Sequence, residues 1–143
     1  MIAVDTNILV HAFVTTSPLH PKAKAAIAEL ARSPAAWAIP WPCIHEFYGV
    51  VTNPKLVTAS GISESALAQI REWMRSPSLE LLGESPGHWG TLERLLRSAQ
   101  VSGPRVHDAK IAAICIDRGV SELLTLDRDF DRFSELRVRS LAG

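Results

Sequence analysis

Short apolar runs alternate along this chain with longer segments of helical periodicity, and that alternation restricts the fold more than any other feature. Ile2 to Val10 is rich in Ile, Val and Leu and reads as a buried parallel strand that runs through Asp5 into a short helix. Ser17, Pro18 and Pro21 break the chain, and the alanine-rich stretch from Lys22 to Arg32 has the spacing of an amphipathic helix. Trp37, Ala38 and Ile39 form a strand ended by Pro40, and Pro42 opens a helix carrying Glu46, Phe47, Val50 and Val51 that stops near Asn53 and Pro54. Ser63 is placed to cap a helix whose Leu67, Ile70, Trp73 and Met74 share one face. Leu79 to Leu82 follows as a strand, and Trp89, Leu92, Leu95, Leu96 and Ala99 mark the next helix, interrupted at Gly103 and Pro104. Val106 to Arg118 is a helix stopped by Gly119, Glu122 to Leu126 a strand, and Leu136 to Val138 a last short one. The pattern predicts an α/β fold with a central, mostly parallel sheet flanked by helices. A chain of 143 residues, 47% apolar, is expected to form one domain, 1-143, around one core.

Net charge is zero, so no global basic field advertises nucleic acid, and any such partner must be held by local cations or through metal. Cys43 and Cys115 lack the spacing of a metal or redox motif and are expected buried and reduced. No apolar run reaches membrane-spanning length and no signal-peptide pattern opens the chain, which predicts a cytoplasmic protein without membrane contact.

Five carboxylates fall at the ends of these elements: Asp5, Glu46, Asp108, Asp127 and Asp129. A carboxylate beside a hydrophobic strand is costly unless it is paired, hydrogen-bonded or bound to a cation, and several converging without Lys or Arg partners imply a divalent metal. Open α/β sheets bind ligands outside the carboxyl ends of their strands, where Asp5 and Asp127 are expected. Each acid also has a structural explanation. Asp5 can cap the following turn, Glu46 can sit in a first helical turn where the macrodipole favours it, and Asp127 with Asp129 can form a solvated turn balanced by Arg128 and Arg132. Asp108 is different, because its helical face continues as the core-directed Ile111, Ala112 and Cys115, so the acid must be satisfied by amides or by metal.

Taken together, the motifs are Asp5-Thr6-Asn7, Trp41 to Phe47 around Glu46, Val106-His107-Asp108-Ala109, and Thr125 to Phe130. In residues, order and length this resembles the PIN-domain ribonucleases of the VapC toxin type, with flanks like those of mycobacterial members. The resemblance implies an acidic site of Asp5, Glu46, Asp108 and Asp127, with Asp5 and Asp108 as direct Mg²⁺ ligands, Mn²⁺ as a substitute, and Asp129 an alternative to Asp127. It implies that Thr125 helps hold the acids or a phosphate oxygen, with Asn7 behind the ligands. It further implies an RNA substrate, a cognate VapB-like antitoxin that inserts a basic side chain among the acids, and a homodimer formed through the helices around Glu46 and Leu67 to Met74.

Phosphodiester hydrolysis fits such a site, since bound Mg²⁺ activates water and neutralises phosphoryl charge while needing only oxygen ligands. Candidate RNA contacts are Lys22, Lys24, Lys55, and Arg105 with His107, each more readily explained as a solvated surface cation, and Trp41 and Tyr48 could stack on a base, although packing in the core or in a dimer is the favoured reading of both. Trp73, Met74 and Trp89 fall at helical periods and are expected in the core. Two alternatives use similar acids: a catalytically silent PIN-like binding module, and a Mg²⁺-dependent phosphotransfer or receiver domain. Asn7 stands where the haloacid-dehalogenase pattern needs a second Asp, and no Lys follows Lys110 where a receiver would need one.

Overall fold

The computed structural model describes residues 1–55 and 60–141. Five strands, β1 (Ile2–Val4), β2 (Trp37–Pro40), β3 (Leu79–Leu82), β4 (Glu122–Leu124) and β5 (Arg137–Arg139), form one sheet in the order β3-β2-β1-β4-β5. Every pairing is parallel, with Ile2 opposite both Trp37 and Glu122. The sheet is therefore wholly parallel, and its helices are α1 (Thr6–Phe13), α2 (His20–Arg32), α3 (Trp41–Val51), α4 (Ile62–Met74), α5 (His88–Ser98) and α6 (Val106–Asp117). The first strand is central, and the chain winds outward from it on both sides. Receiver-type sheets have the order 2-1-3-4-5, so this topology removes the receiver alternative.

Burial follows position in the sheet. Ala3, Val4, Ile39 and Leu123 are sealed in the central strands, whereas the edge strand β5 leaves Arg137 and Arg139 exposed, charges that discourage edge pairing. Phe47 anchors α3 by meeting Phe13 of α1 edge-on at 5.5 Å and Trp73 of α4 at 4.9 Å. The small and branched residues of α6, Ala109 and Ile111 to Cys115, are all buried, which brings this helix close to the sheet and fixes Asp108 in its first turn.

Several boundaries differ from the sequence pattern. Helix α4 is entered through Gly61, whose φ of 77° is easy for glycine, so Ser63 lies inside the first turn rather than capping it. Its buried stripe is Ala66, Ile70 and Trp73, while Leu67 and Met74 are 38% and 39% exposed. Trp89, in the first turn of α5, is 63% exposed. Periodicity puts a residue on a face, but burial also needs a neighbour over that face, and these three side chains are left largely open in the single chain. Pro40 closes β2 from within, and β4 ends at Leu124, releasing Thr125 and Leu126 toward the site. Among the described residues no helix is long and apolar enough to cross a membrane.

Candidate active site

Strands β1 and β4 are neighbours at the point where strand order reverses, and the residues leaving their carboxyl ends meet there. The Asp5 amide donates to the Leu124 carbonyl at 3.0 Å, extending the ladder by one step, after which the chain turns into α1. The Asp5 carboxylate caps that helix, accepting from the Thr6 amide at 2.8 Å. It also accepts from the Thr125 hydroxyl at 2.7 Å, the Asn7 amide nitrogen at 3.4 Å and the Cys43 thiol at 3.6 Å. At 5% exposure it is a buried carboxylate, and burial raises its pKa despite these donors, with Glu46 adding a smaller push in the same direction.

Thr125 is fully buried, and its hydroxyl is saturated: it donates to Asp5 and accepts from the Asn7 side chain at 3.1 Å and from the Asp127 amide at 3.0 Å. Every hydrogen-bonding valence of the hydroxyl is thus engaged inside the protein, on Asp5, Asn7 and the Asp127 backbone. Asn7 closes the knot by accepting from the Leu126 amide at 3.2 Å.

Beyond this knot Asp108, Asp127 and Asp129 bring one carboxylate oxygen each within 4.8 Å of one another, the only such group of metal-capable side chains among the described residues. Asp127 caps the short helical turn Arg128–Arg132 by accepting from the Asp129 amide at 2.9 Å, which fixes the two acids of the final motif side by side. Asp108 is half-buried with its pKa pushed up to about 6, first by burial and then by the charges of Asp127, Asp5, Asp129 and Glu46 in that order. Carboxylates that repel one another in this way suit a divalent cation, and an all-oxygen donor set suits a hard one. Asp5 and Glu46 act on Asp108 electrostatically but stand outside the 4.8 Å group.

Three features depart from expectation. Glu46 lies in the second turn of α3, so the helix terminus does not explain it; its Oε2 instead accepts from the Thr6 hydroxyl at 2.9 Å. Asp129 is not free of cations, since Arg105, a candidate RNA contact by its position in the sequence, pairs with it at 2.9 Å. Cys43 is buried and reduced as expected, but its place against Asp5 was not legible; burial, reinforced by Asp5, holds the thiol well above its ordinary pKa and keeps it a donor. Thr6 stands beside Asp5 in the sequence, and the signal for its role is there: a hydroxyl at the first helical position after a strand-end Asp. Lys22 lines a groove of about 870 Å³ with Ala26, Leu30, Arg139 and Leu141 that contains none of the five acids, which separates it from the site.

A wholly parallel α/β sheet that presents clustered carboxylates at its switch point defines a class of α/β proteins with an acidic site able to take a hard cation. Within that class, the PIN-domain profile matches residues 2–136 of the chain. Ribonuclease VapC48 of Mycobacterium tuberculosis is 31% identical over 135 residues, covering 94% of this chain and 93% of the relative. Ribonuclease VapC33 of the same species is 28% identical over 137 residues, covering 96% and 95%. Among solved structures, VapBC2 from Rickettsia felis, bound to a DNA fragment from its promoter, superposes with a TM-score of 0.72 at 19% identity over 98% of each chain. The chain belongs to the PIN-domain family, in the VapC branch.

Proposed function

We propose that this chain is a metal-dependent endoribonuclease, the toxin of a toxin-antitoxin pair, with Mg²⁺ as its ion and Mn²⁺ as a substitute. The observation that carries the reading is the mutual approach of Asp108, Asp127 and Asp129 beside the buried Asp5; the relatives named as ribonucleases supply the reaction class. Asp108, Asp127 and Asp129 would hold the ion, with Asp5 and Glu46 adding negative charge behind it. A divalent ion so held supplies activated water and neutralises charge on the phosphoryl oxygens. The chain's own residues position these groups. Thr125 and Asn7 fix Asp5 and the backbone of Leu126 and Asp127, and Thr6 fixes Glu46. Arg105 offsets the charge of Asp129 while no cation is bound.

The same carboxylates form a receptor for a guanidinium, so an antitoxin's basic side chain would occupy the place that metal and phosphate need. Val50 on α3 and Leu67 and Met74 on α4 are exposed apolar side chains on the two helices expected to face a second copy. The test is cleavage of total cellular RNA by antitoxin-free protein in Mg²⁺ or Mn²⁺ against EDTA, with Asp108→Asn as control. Discrete, metal-dependent fragments absent with the variant support the reading, and intact RNA from folded protein in every metal points to a silent binding module.

A further inference from the structure

Beside the acidic cluster lies a second cleft, of about 650 Å³, whose wall is aromatic. Helices α3 and α6 and the residues after β3 line it: Trp41, His45 and Glu46 from α3, His107, Lys110 and Ile114 from α6, and Gly83 with Glu84. Trp41 and His45, one helical turn apart, stack with centroids at 6.1 Å and planes 28° apart, and Trp41 is 38% exposed. An indole held half in water by a rigid backbone is an unused binding face. The backing is fixed. Gly83 lies alongside the indole, where a Cβ would stand at ordinary van der Waals distance, 3.8 Å from Cδ1, and the Gly83 and Glu84 carbonyls both accept from the Arg118 guanidinium at 3.1 Å.

The cleft borders the acidic site: Glu46, whose charge acts on Asp108, lines it, and His107 precedes Asp108 on α6. The geometry points to a stacking subsite for one unpaired nucleobase of the RNA strand, next to the scissile phosphate, with the base on Trp41 and His45 and Lys110 reaching the backbone. This deepens the ribonuclease reading and rests on it. The chemistry favours a base over a bare phosphate, because Glu46 and Glu84 repel anions while an aromatic face accepts any base. It also explains how a chain of zero net charge can hold RNA: stacking contributes what a basic field does not.

The test compares Trp41→Ala, Trp41→Phe and, as a control away from the cleft, Trp89→Phe. Binding of labelled short single-stranded oligoribonucleotides is followed by anisotropy in Ca²⁺ and in EDTA, cleavage by kcat/KM in Mg²⁺, and mass by light scattering. Trp41→Ala is expected to weaken binding and lower kcat/KM by roughly five- to a hundredfold, the range of one base–aromatic stack, with Trp41→Phe retaining most of both and Trp89→Phe unchanged. Unchanged affinity in folded Trp41→Ala overturns the subsite, as does wild-type protein that binds no single strand, or a loss of affinity that merely tracks dissociation of a dimer. The two readings separate cleanly. Binding that depends on Trp41 without cleavage by wild-type protein in any metal keeps the subsite and removes the nuclease; wild-type cleavage with kcat/KM equal in Trp41→Ala does the reverse.

Discussion

The acidic site has two halves built on opposite principles. In the inner half, Asp5 is buried and receives four donors, and Thr125 spends every hydrogen-bonding valence inside the protein. In the outer half, Asp108, Asp127 and Asp129 face one another with a half-exposed arginine beside them and gain from repulsion only when a cation arrives. The inner half belongs to the fold and the outer half to the ligand. Removing an inner group should lose stability, and activity with it, whereas removing an outer group should lose activity while relieving strain.

The sharpest break in that comparison comes from Asp108→Asn. Loss of one ligand is expected to cut metal-dependent cleavage by about a thousandfold or more, since several kcal/mol of metal stabilisation act on a barrier at about tenfold per 1.4 kcal/mol. Its melting temperature without metal should equal or exceed that of wild type, because a repelling charge is gone. A lower one would place Asp108 with the structural half. Thr125→Val is the complementary change, nearly isosteric yet stripped of the hydroxyl. It leaves the Asp127 amide, the Asn7 amide and an Asp5 oxygen each short of a partner, at a cost of about 1–3 kcal/mol, or several degrees in Tm by thermal denaturation. Asp5→Asn should lose both stability and cleavage, since its new NH₂ must replace either the oxygen that accepts from the Thr6 amide or the one that accepts from the Thr125 hydroxyl and the Asn7 amide.

Titration sharpens the comparison without mutation. The folded-state pKa of Asp108 stands at about 6 against an ordinary value of 3.8, so the folded protein holds this proton more tightly than the unfolded chain. Metal-free stability therefore rises as pH falls from neutral through about 6 and levels off below the ordinary value; Asp5, also raised, adds in the same direction. Mg²⁺ needs the deprotonated form, so its affinity falls over the same interval, by up to about tenfold per pH unit for one displaced proton. The two effects cancel at saturating Mg²⁺, so over this interval Tm should rise on acidification without metal and stay flat with it, and parallel slopes would remove the metal from this carboxylate.

Much of this was legible in the sequence, for identifiable reasons. Strand identity and the delivery of Asp5 and Thr125 to neighbouring strand ends follow from apolar runs broken at known residues, which is local information. The parallel topology follows from alternation. Contacts between distant segments were not legible: Thr6 reaches Glu46 across a separation of 40 residues, and Arg105 to Asp129 joins two turns whose relative placement depends on how α6 packs. The exposure of Leu67, Met74 and Trp89 escaped as well, because helical spacing of apolar residues specifies a direction and says nothing of what lies in it. Glu46 shows the limit of reading an acid from the nearest helix start. Whether the helix is opened by Pro42 or at Trp41, where α3 begins directly on the end of β2, Glu46 is its fifth or sixth residue and lies past the free amides of the first turn, so only a contact from a distant segment could account for it.

Arg105 marks the boundary between the two halves and should give the smallest effect. Its ion pair with Asp129 is about half exposed on both sides, a setting in which such pairs contribute roughly 0–1 kcal/mol. Arg105→Gln should thus shift Tm by a few degrees at most. The pair nevertheless opposes metal binding, because the guanidinium must release or share a carboxylate oxygen before that oxygen can turn to an ion. Removing the cation also deepens the negative potential at Asp108 and Asp127. Mg²⁺ affinity measured by calorimetry should therefore rise severalfold in Arg105→Gln and respond more steeply to salt. A fall in affinity would mean that Arg105 orients Asp129 for the metal, moving Asp129 out of the repelling rim and into the ordered half of the site.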